Sequence, residues 1–257
     1  MLDYIRIACA VPAVKPGDVK KNTQDICAYM EKADAKNADI ILFPELAMTG
    51  YTRGDLFYQE TLLDAVEAGL REILACSEAH PAFTAVVGLP VRTGMTLANC
   101  AAVISGGELR GLVSKTFLPD YGGFNESRWF SAVEDGAVAI LNGQPLPIRS
   151  DILYRVGDTV VGIEICEDFF APVSPSQFQA LNGAEVILNL AASPEQVGKK
   201  AGRTAQIKAY SEKCKCVYAY VSAGFTESTT DLVFSGHSVI AENGAVLAES
   251  EGIVALD

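Results

Sequence analysis

Histidine is scarce in this chain: His80 and His237 are the only two among 257 residues. Cys214 and Cys216, in "CKC", form the one tight cysteine pair, and no second pair completes a four-ligand set. The common zinc patterns are therefore excluded, and metal binding is not expected. The scarcity also removes the usual partner of a nucleophilic thiol, since His80 sits before Pro81 in a polar turn and His237 lies far along the chain. Basic residues are outnumbered, 20 Lys and Arg against 32 Asp and Glu, giving a net charge of −12. Such a surface repels phosphate backbones and argues against sequence-independent nucleic-acid binding. No stretch approaches the roughly 18 apolar residues of a membrane-spanning helix. The N-terminal "MLDYIRIACAVPAV" has an acidic third residue and no basic leader, so it reads as a first strand rather than a secretory signal. Seven cysteines without such a signal point to free thiols in a reducing, cytoplasmic compartment. Linkers, low-complexity tracts and repeats are absent as well, and residues 1–257 read as one domain.

What remains is a globular composition, 49% apolar and 20% charged. Short β-rich runs recur at 4–10, 38–44, 84–90, 99–105, 160–166, 184–190, 216–223 and 238–242, most bounded by Gly, Pro, Asn or Asp. Helical periodicity fills 18–36, 55–78 (with Asp55 as its N-cap), 175–182 and 199–214. Some strands are joined by short turns and others alternate with helices. That mixture predicts an α+β protein whose sheets hold both parallel and antiparallel pairs under a cover of helices.

Four places could carry chemistry. In "FPELAMTGY" (43–51), Glu45 follows an apolar strand and a proline; taken alone, an exposed loop glutamate is the commoner reading. In "VSKTFLPDYGGFNESRWF" (113–130), Lys115 ends a strand before a loop rich in glycine and aromatics, which more often anchor a loop than contact a substrate. In "VVGIEICEDFFAP" (160–172), Cys166 stands at the end of a strand amid Glu164, Glu167 and Asp168. A buried cysteine is usually a small hydrophobe. Here neighbouring carboxylates would raise its pKa, so a working nucleophile would need a base and a cation nearby. In "NLAASPEQVGKK" (189–200), Ser193 and Lys199 either line a pocket or begin a helix.

Glu45, Lys115 and Cys166, each at the C-terminal end of an apolar strand, resemble the nitrilase (carbon–nitrogen hydrolase) superfamily. The words "FPELAMTGY", "KTFLPDYGGFNESRWF", "GIEICEDFFAP", "ASPEQVGK" and "SGHSVI" are similar to its glutamine-hydrolysing branch, the N-terminal domain of glutamine-dependent NAD⁺ synthetases. The resemblance runs over the whole chain and implies a four-layer α-β-β-α sandwich. It also implies Glu45 as general base, Lys115 as oxyanion stabiliser and Cys166 as nucleophile. Glu126 would orient the lysine and position the base. Tyr121 and Phe124 would lie near the substrate, with Ser193 and Lys199 contacting L-glutamine. By strand alternation Glu164 shares a face with Cys166 and would lie in the pocket or pair with a buried cation; Glu167 would face a partner domain.

No cofactor is implied for this domain; ATP and Mg²⁺ would belong to a synthetase domain, the expected partner, whose Ser-Gly-Gly-x-Asp-type loop is absent from these residues. The family also implies a homo-oligomer. Ending on the apolar "EGIVALD", the sequence reads as an excised glutaminase domain or as a chain whose synthetase is separate. Two competing expectations stand beside this one: a free-standing amidase acting on another small amide, and a binding module whose triad is dormant without its partner.

Overall fold

The structure, a computed structural model, describes residues 4–252 apart from 135, 142 and 143. The expectation of an apolar strand at the very end of the chain falls on residues 253–257, outside the described ones. Every apolar run singled out above contains a strand. One sheet has the order β1 (Ile7–Cys9), β2 (Ile40–Leu42), β3 (Thr84–Thr93), β4 (Thr96–Ser105) and β5 (Glu108–Ser114). Its first three strands are parallel, and β3–β4–β5 form an antiparallel meander. After a small hairpin of β6 (Val138–Leu141) and β7 (Gln144–Pro147), the chain builds a second sheet from β8 (Tyr154–Val156), β9 (Thr159–Ile165), β10 (Val186–Ala191), β11 (Val217–Ser222), β12 (Ser238–Glu242) and β13 (Ala245–Glu249). Here β9, β10 and β11 are parallel, and the flanking strands antiparallel.

Alternation along the strands sets the layers. Ile40, Leu42 and Val86 join Ile163, Val186 and Leu188 in a core between the two sheets. Ile41, Ala85 and Val87 instead face α1 (Val19–Asp34) and α2 (Glu60–Ser77), meeting Ile26, Met30, Val66 and Leu70. On the far side, α3 (Pro175–Leu181) packs on β9, and α4 (Lys199–Cys214) on β11 and β12. The result is the expected α-β-β-α sandwich. None of the described helices is long and apolar enough to cross a membrane.

One local expectation fails. Asp55 does not cap α2: residues Gly54–Tyr58 form a 3-10 turn, and α2 starts after Gln59. The Asp55 carboxylate accepts instead from Arg128 Nε (2.8 Å) and Trp129 Nε1 (2.9 Å), which hold its pKa down at about 2. A guanidinium and an indole from a distant loop outcompete the local backbone for it.

Because β1–β3 and β5 run the same way and β9–β11 are mutually parallel, strand C-termini gather at one edge of each sheet. The Glu45 N–H donates to Ala191 O (3.3 Å), so the two edges are adjacent. The loop after β2 reaches this place by lying directly on β3 at Gly88. A Cβ there would sit 2.3 Å from Leu46 N and 2.5 Å from Pro44 O, and Met48 N donates to Gly88 O (3.2 Å). Gly88→Ala should therefore push the Glu45 loop off the sheet and cost about 1–3 kcal/mol in urea unfolding. An unchanged unfolding midpoint would show that the close approach is not a constraint.

Candidate active site

Three strand ends deliver three ionisable side chains to this edge. Glu45 follows β2, with Leu46 turning the chain through a left-handed φ of 53°. Lys115 follows β5, its N–H donating to Asn99 O (2.8 Å) and so continuing the ladder with β4. Cys166 follows β9 and opens a 3-10 turn, Cys166–Phe169, with its own φ at 47°. A left-handed backbone at a residue with a Cβ costs about 1–2 kcal/mol, so the surroundings must hold it in place. The twist ends the strand and frees the thiol from strand alternation. It meets the N–H of Ala192 at the end of β10. The face expected to be shared by Glu164 and Cys166 therefore does not exist.

The buried ammonium of Lys115 is the centre of the site. Its Nζ donates to Glu45 Oε1 (2.7 Å) and Glu126 Oε1 (2.5 Å). All three side chains are at most 2% exposed. Asn99 Nδ2 donates to Glu45 Oε1 (2.6 Å), and Tyr51 OH to Glu126 Oε1 (2.6 Å). Burial alone would favour a neutral amine, but Glu126 and Glu45 outweigh it and hold the lysine pKa well above its ordinary value. Burial raises the Glu126 carboxyl to about 7; Lys115 pulls it down and Glu45 pushes it further up. Burial and then the Glu45 charge raise the Cys166 thiol, against the pull of Lys115 and the Ala192 N–H. The thiol thus rests protonated beside a carboxylate, and Glu45 Oε2 and Glu126 Oε2 have no hydrogen-bond partner among the described residues.

The structure brings most of the other expected residues to the same place. Tyr121 OH donates to Glu167 Oε1 (2.7 Å), and Tyr121 and Phe124 stack edge to face, with Phe124 meeting Tyr51 on its other side. Glu167 is thereby turned to the aromatic loop. The Lys199 ammonium is pushed down by burial and by Arg203, and drawn up by Cys166, Glu195 and Glu167, which sets it in the field of the site. Ser193 is buried, its N–H donating to Ser222 Oγ (3.0 Å). Glu164 is elsewhere. It lies under α3, accepting from the Tyr218 hydroxyl and from Ser176 N (3.1 Å). Hydroxyl and amide donors satisfy it, no cation does, and burial raises its pKa. A cavity of about 740 Å³ beside Tyr4, Asp39 and Tyr154 is at the opposite, N-terminal end of the parallel strands.

Sequence reasoning missed Asn99, Tyr51 and Arg203. Tyr51 was in view as the last letter of "FPELAMTGY"; Asn99, a polar residue inside a buried strand, was a signal left unused. Arg203 is almost fully buried. It donates to Ser193 Oγ (3.3 Å), Glu195 Oε2 (2.8 Å) and His237 Nδ1 (2.9 Å), and stacks over Tyr220. Because Nδ1 accepts, His237 carries its proton on Nε2 towards Glu249 Oε1 (2.9 Å). Burial lowers its pKa, consistent with a neutral ring.

Two outcomes follow. Lys115→Met leaves two buried carboxylates facing each other and should cost about 3–5 kcal/mol. Adding Glu126→Gln should return part of that loss, and strictly additive losses in a urea double-mutant cycle would contradict the network. Burial also raises the fully enclosed Glu227 carboxyl to about 8, so Glu126 and Glu227 keep protons in the folded state that the unfolded chain releases near pH 4.5. Stability should then fall as pH rises from 5 to 7, by about 1.4 kcal/mol per pH unit for each retained proton. Glu227→Gln should flatten that slope; an unaltered slope would remove Glu227 from the account.

The comparisons with known proteins meet this geometry. The family model described as carbon–nitrogen hydrolase matches residues 6–252. A glutamine-dependent NAD(+) synthetase of Mycobacterium tuberculosis is 37% identical over 253 residues, 96% of this chain and 37% of that protein. One from Aquifex aeolicus is 33% identical over 224 residues, 87% of this chain and 36% of that one. The chain thus spans well under half the length of these relatives. Among solved structures, the glutamine-dependent NAD(+) synthetase of Cytophaga hutchinsonii superposes with a TM-score of 0.82 at 28% identity, over 97% of this chain and 41% of that chain. A Nesterenkonia amidase of the nitrilase superfamily superposes at 0.81 over 97% and 87%; at 20% identity it speaks for the fold alone. A family model spanning nearly every described residue, with relatives above 30% identity along the same length, makes this chain a member of the carbon–nitrogen hydrolase family.

Proposed function

We propose that the chain is the glutamine-hydrolysing domain of a glutamine-dependent NAD⁺ synthetase, releasing ammonia for that enzyme's amidation step. The observation that carries this reading is the buried Lys115 ammonium held between Glu45 and Glu126 beside the Cys166 thiol. Glu45 takes the thiol proton as sulfur attacks the side-chain amide carbon, so the proton moves within the site and no net charge is created there. Lys115 and the N–H of Glu167, the residue after the nucleophile, stabilise the tetrahedral oxyanion. Glu45 returns the proton to the departing nitrogen, the C–N bond breaks, and ammonia leaves a γ-glutamyl thioester on Cys166. Water, deprotonated by Glu45, attacks the thioester; glutamate departs and the thiol is restored.

Glu126, with Tyr51 behind it, fixes the lysine; its raised pKa lets the cluster carry one proton fewer or more without ejecting Lys115. Lys199 suits the substrate α-carboxylate and Glu167 its α-ammonium, with Tyr121, Phe124 and Ser193 closing around the chain. The chemistry draws on these side chains and water. ATP and Mg²⁺ belong, on this reading, to the synthetase reaction, carried by a partner domain or chain in the cytoplasm.

Glutamate and ammonia release from L-glutamine, measured for the wild type and Cys166→Ala, tests the assignment. Loss of at least about a thousandfold in kcat is expected on removing the nucleophile. Retained turnover in Cys166→Ala would sink it, and a substrate panel preferring another small amide would favour a free-standing amidase.

A further inference from the structure

Asp168 is a buried carboxylate for which the steps above have no task; it is 1% exposed. One of its oxygens does ordinary work: Oδ2 accepts from Ile165 N (3.1 Å), capping the 3-10 turn that Asp168 itself belongs to. The other does not. Oδ1 accepts from Thr116 N (3.0 Å) and Phe117 N (2.8 Å), more than 50 residues upstream. Thr116 and Phe117 are the two residues after Lys115, and Ile165 is the residue before Cys166. One carboxylate therefore grips the backbone on the far side of the lysine and on the near side of the cysteine.

The grip matters because the two residues come from different sheets. Lys115 leaves β5 of the first, Cys166 leaves β9 of the second, and no ladder joins those sheets. Between them lie apolar side chains, Val113 and Val103 against Ile163 and Ile165 among others, whose contacts are non-directional and do not fix a slide of a fraction of an ångström. Hydrogen bonds, being directional, do fix it, through both length and angle. The Glu45 N–H to Ala191 O bond ties the sheets on the other flank of the site. The strained φ of Cys166 also needs an external hold, and Asp168 supplies it two residues on.

We infer that Asp168 is a positioning residue, which sets the distance between the Cys166 sulfur and the Lys115 ammonium by clamping the ends of β9 and β5 together. Burial, and then the Glu164 charge, push the Asp168 carboxyl up to about 8, while the Phe117 and Ile165 N–H groups and the Lys115 ammonium pull it down. Three backbone N–H donors converge on its two oxygens and fix the carboxyl group in place. The inference rests on the proposed roles of Cys166 and Lys115, while the clamp itself is geometric.

The test is Asp168→Asn, which keeps the shape and turns an NH₂ group towards one of the three donors. Asp168 touches no substrate, so KM for L-glutamine should stay within about threefold of wild type. Misplacing the sulfur by about 1 Å should lower kcat about a hundredfold. A purely structural role would instead shift the melting temperature with kcat per folded molecule intact; kcat within about threefold of wild type overturns the inference, as does a KM that rises in step with the fall in kcat. If Asp168→Asn does not fold, Phe117→Pro decides: it deletes one donor at an exposed side chain and should cost about tenfold in kcat alone. If the wild type itself does not hydrolyse glutamine, the functional reading fails and the clamp is read by amide hydrogen exchange. Thr116 and Phe117 should exchange at least about tenfold faster in the Asn variant, and equal rates overturn the clamp.

Discussion

A charged ammonium with no access to water is the constraint around which this molecule is organised. Lys115 can stay ionised in the interior only if carboxylates come to it, and carboxylates can be buried only if their own oxygens find donors. Glu45 and Glu126 meet the first demand, Asn99 and Tyr51 the second. The loop after β2 supplies both Glu45 and Tyr51, β4 supplies Asn99, and the long loop after β5 supplies Glu126. The close approach at Gly88, the aromatic loop from Tyr121 to Phe130 and the meander β3–β5 all deliver members of the same cluster. The cluster is thus a reason for the fold's connectivity as well as its product.

Charge arithmetic makes the arrangement chemically useful. Burial, added to by the Glu45 charge, favours a proton on Glu126 and keeps the thiol of Cys166 neutral, while the single Lys115 ammonium pulls both the other way. A resting thiolate would add a further anion to a buried site. In the proposed mechanism, forming it only when Glu45 accepts the proton avoids that cost and ties sulfur reactivity to the presence of something to attack. Nearby, Arg203 holds Ser193 and Glu195 and is itself backed by His237 and, through it, Glu249. His237, just before β12, is therefore a neutral spacer between a guanidinium and a carboxylate, in keeping with a site that does without imidazole.

Much of this could be read along the chain because strands and helices are local in sequence. Every apolar run singled out contains a strand, and Glu45, Lys115 and Cys166, each just past a strand's end, were brought to one edge. What escaped was set by distance. Asn99 finds Glu45 across 54 residues and Tyr51 finds Glu126 across 75, with no periodic signal linking either pair. Asp55 read as a helix cap because the local sequence allowed it, and Arg128 and Trp129, more than 70 residues on, took it. Glu164 misled for a subtler reason: alternation holds only while the backbone stays extended, and the positive φ of Cys166 breaks it at the residue that matters.

Two sheets that share no ladder each own part of the site, Glu45 and Lys115 on one, Cys166 and Ser193 on the other. Sheet-to-sheet spacing, in most sandwiches a matter of packing volume, is here also a coordinate of the site itself. A methylene added or lost among Ile40, Leu42, Val103, Ile163 and Leu188 alters the gap across which sulfur and ammonium face each other. The apolar interior thus works like the frame of a vernier, in which the graduations stand at one edge and the setting is fixed by everything behind it.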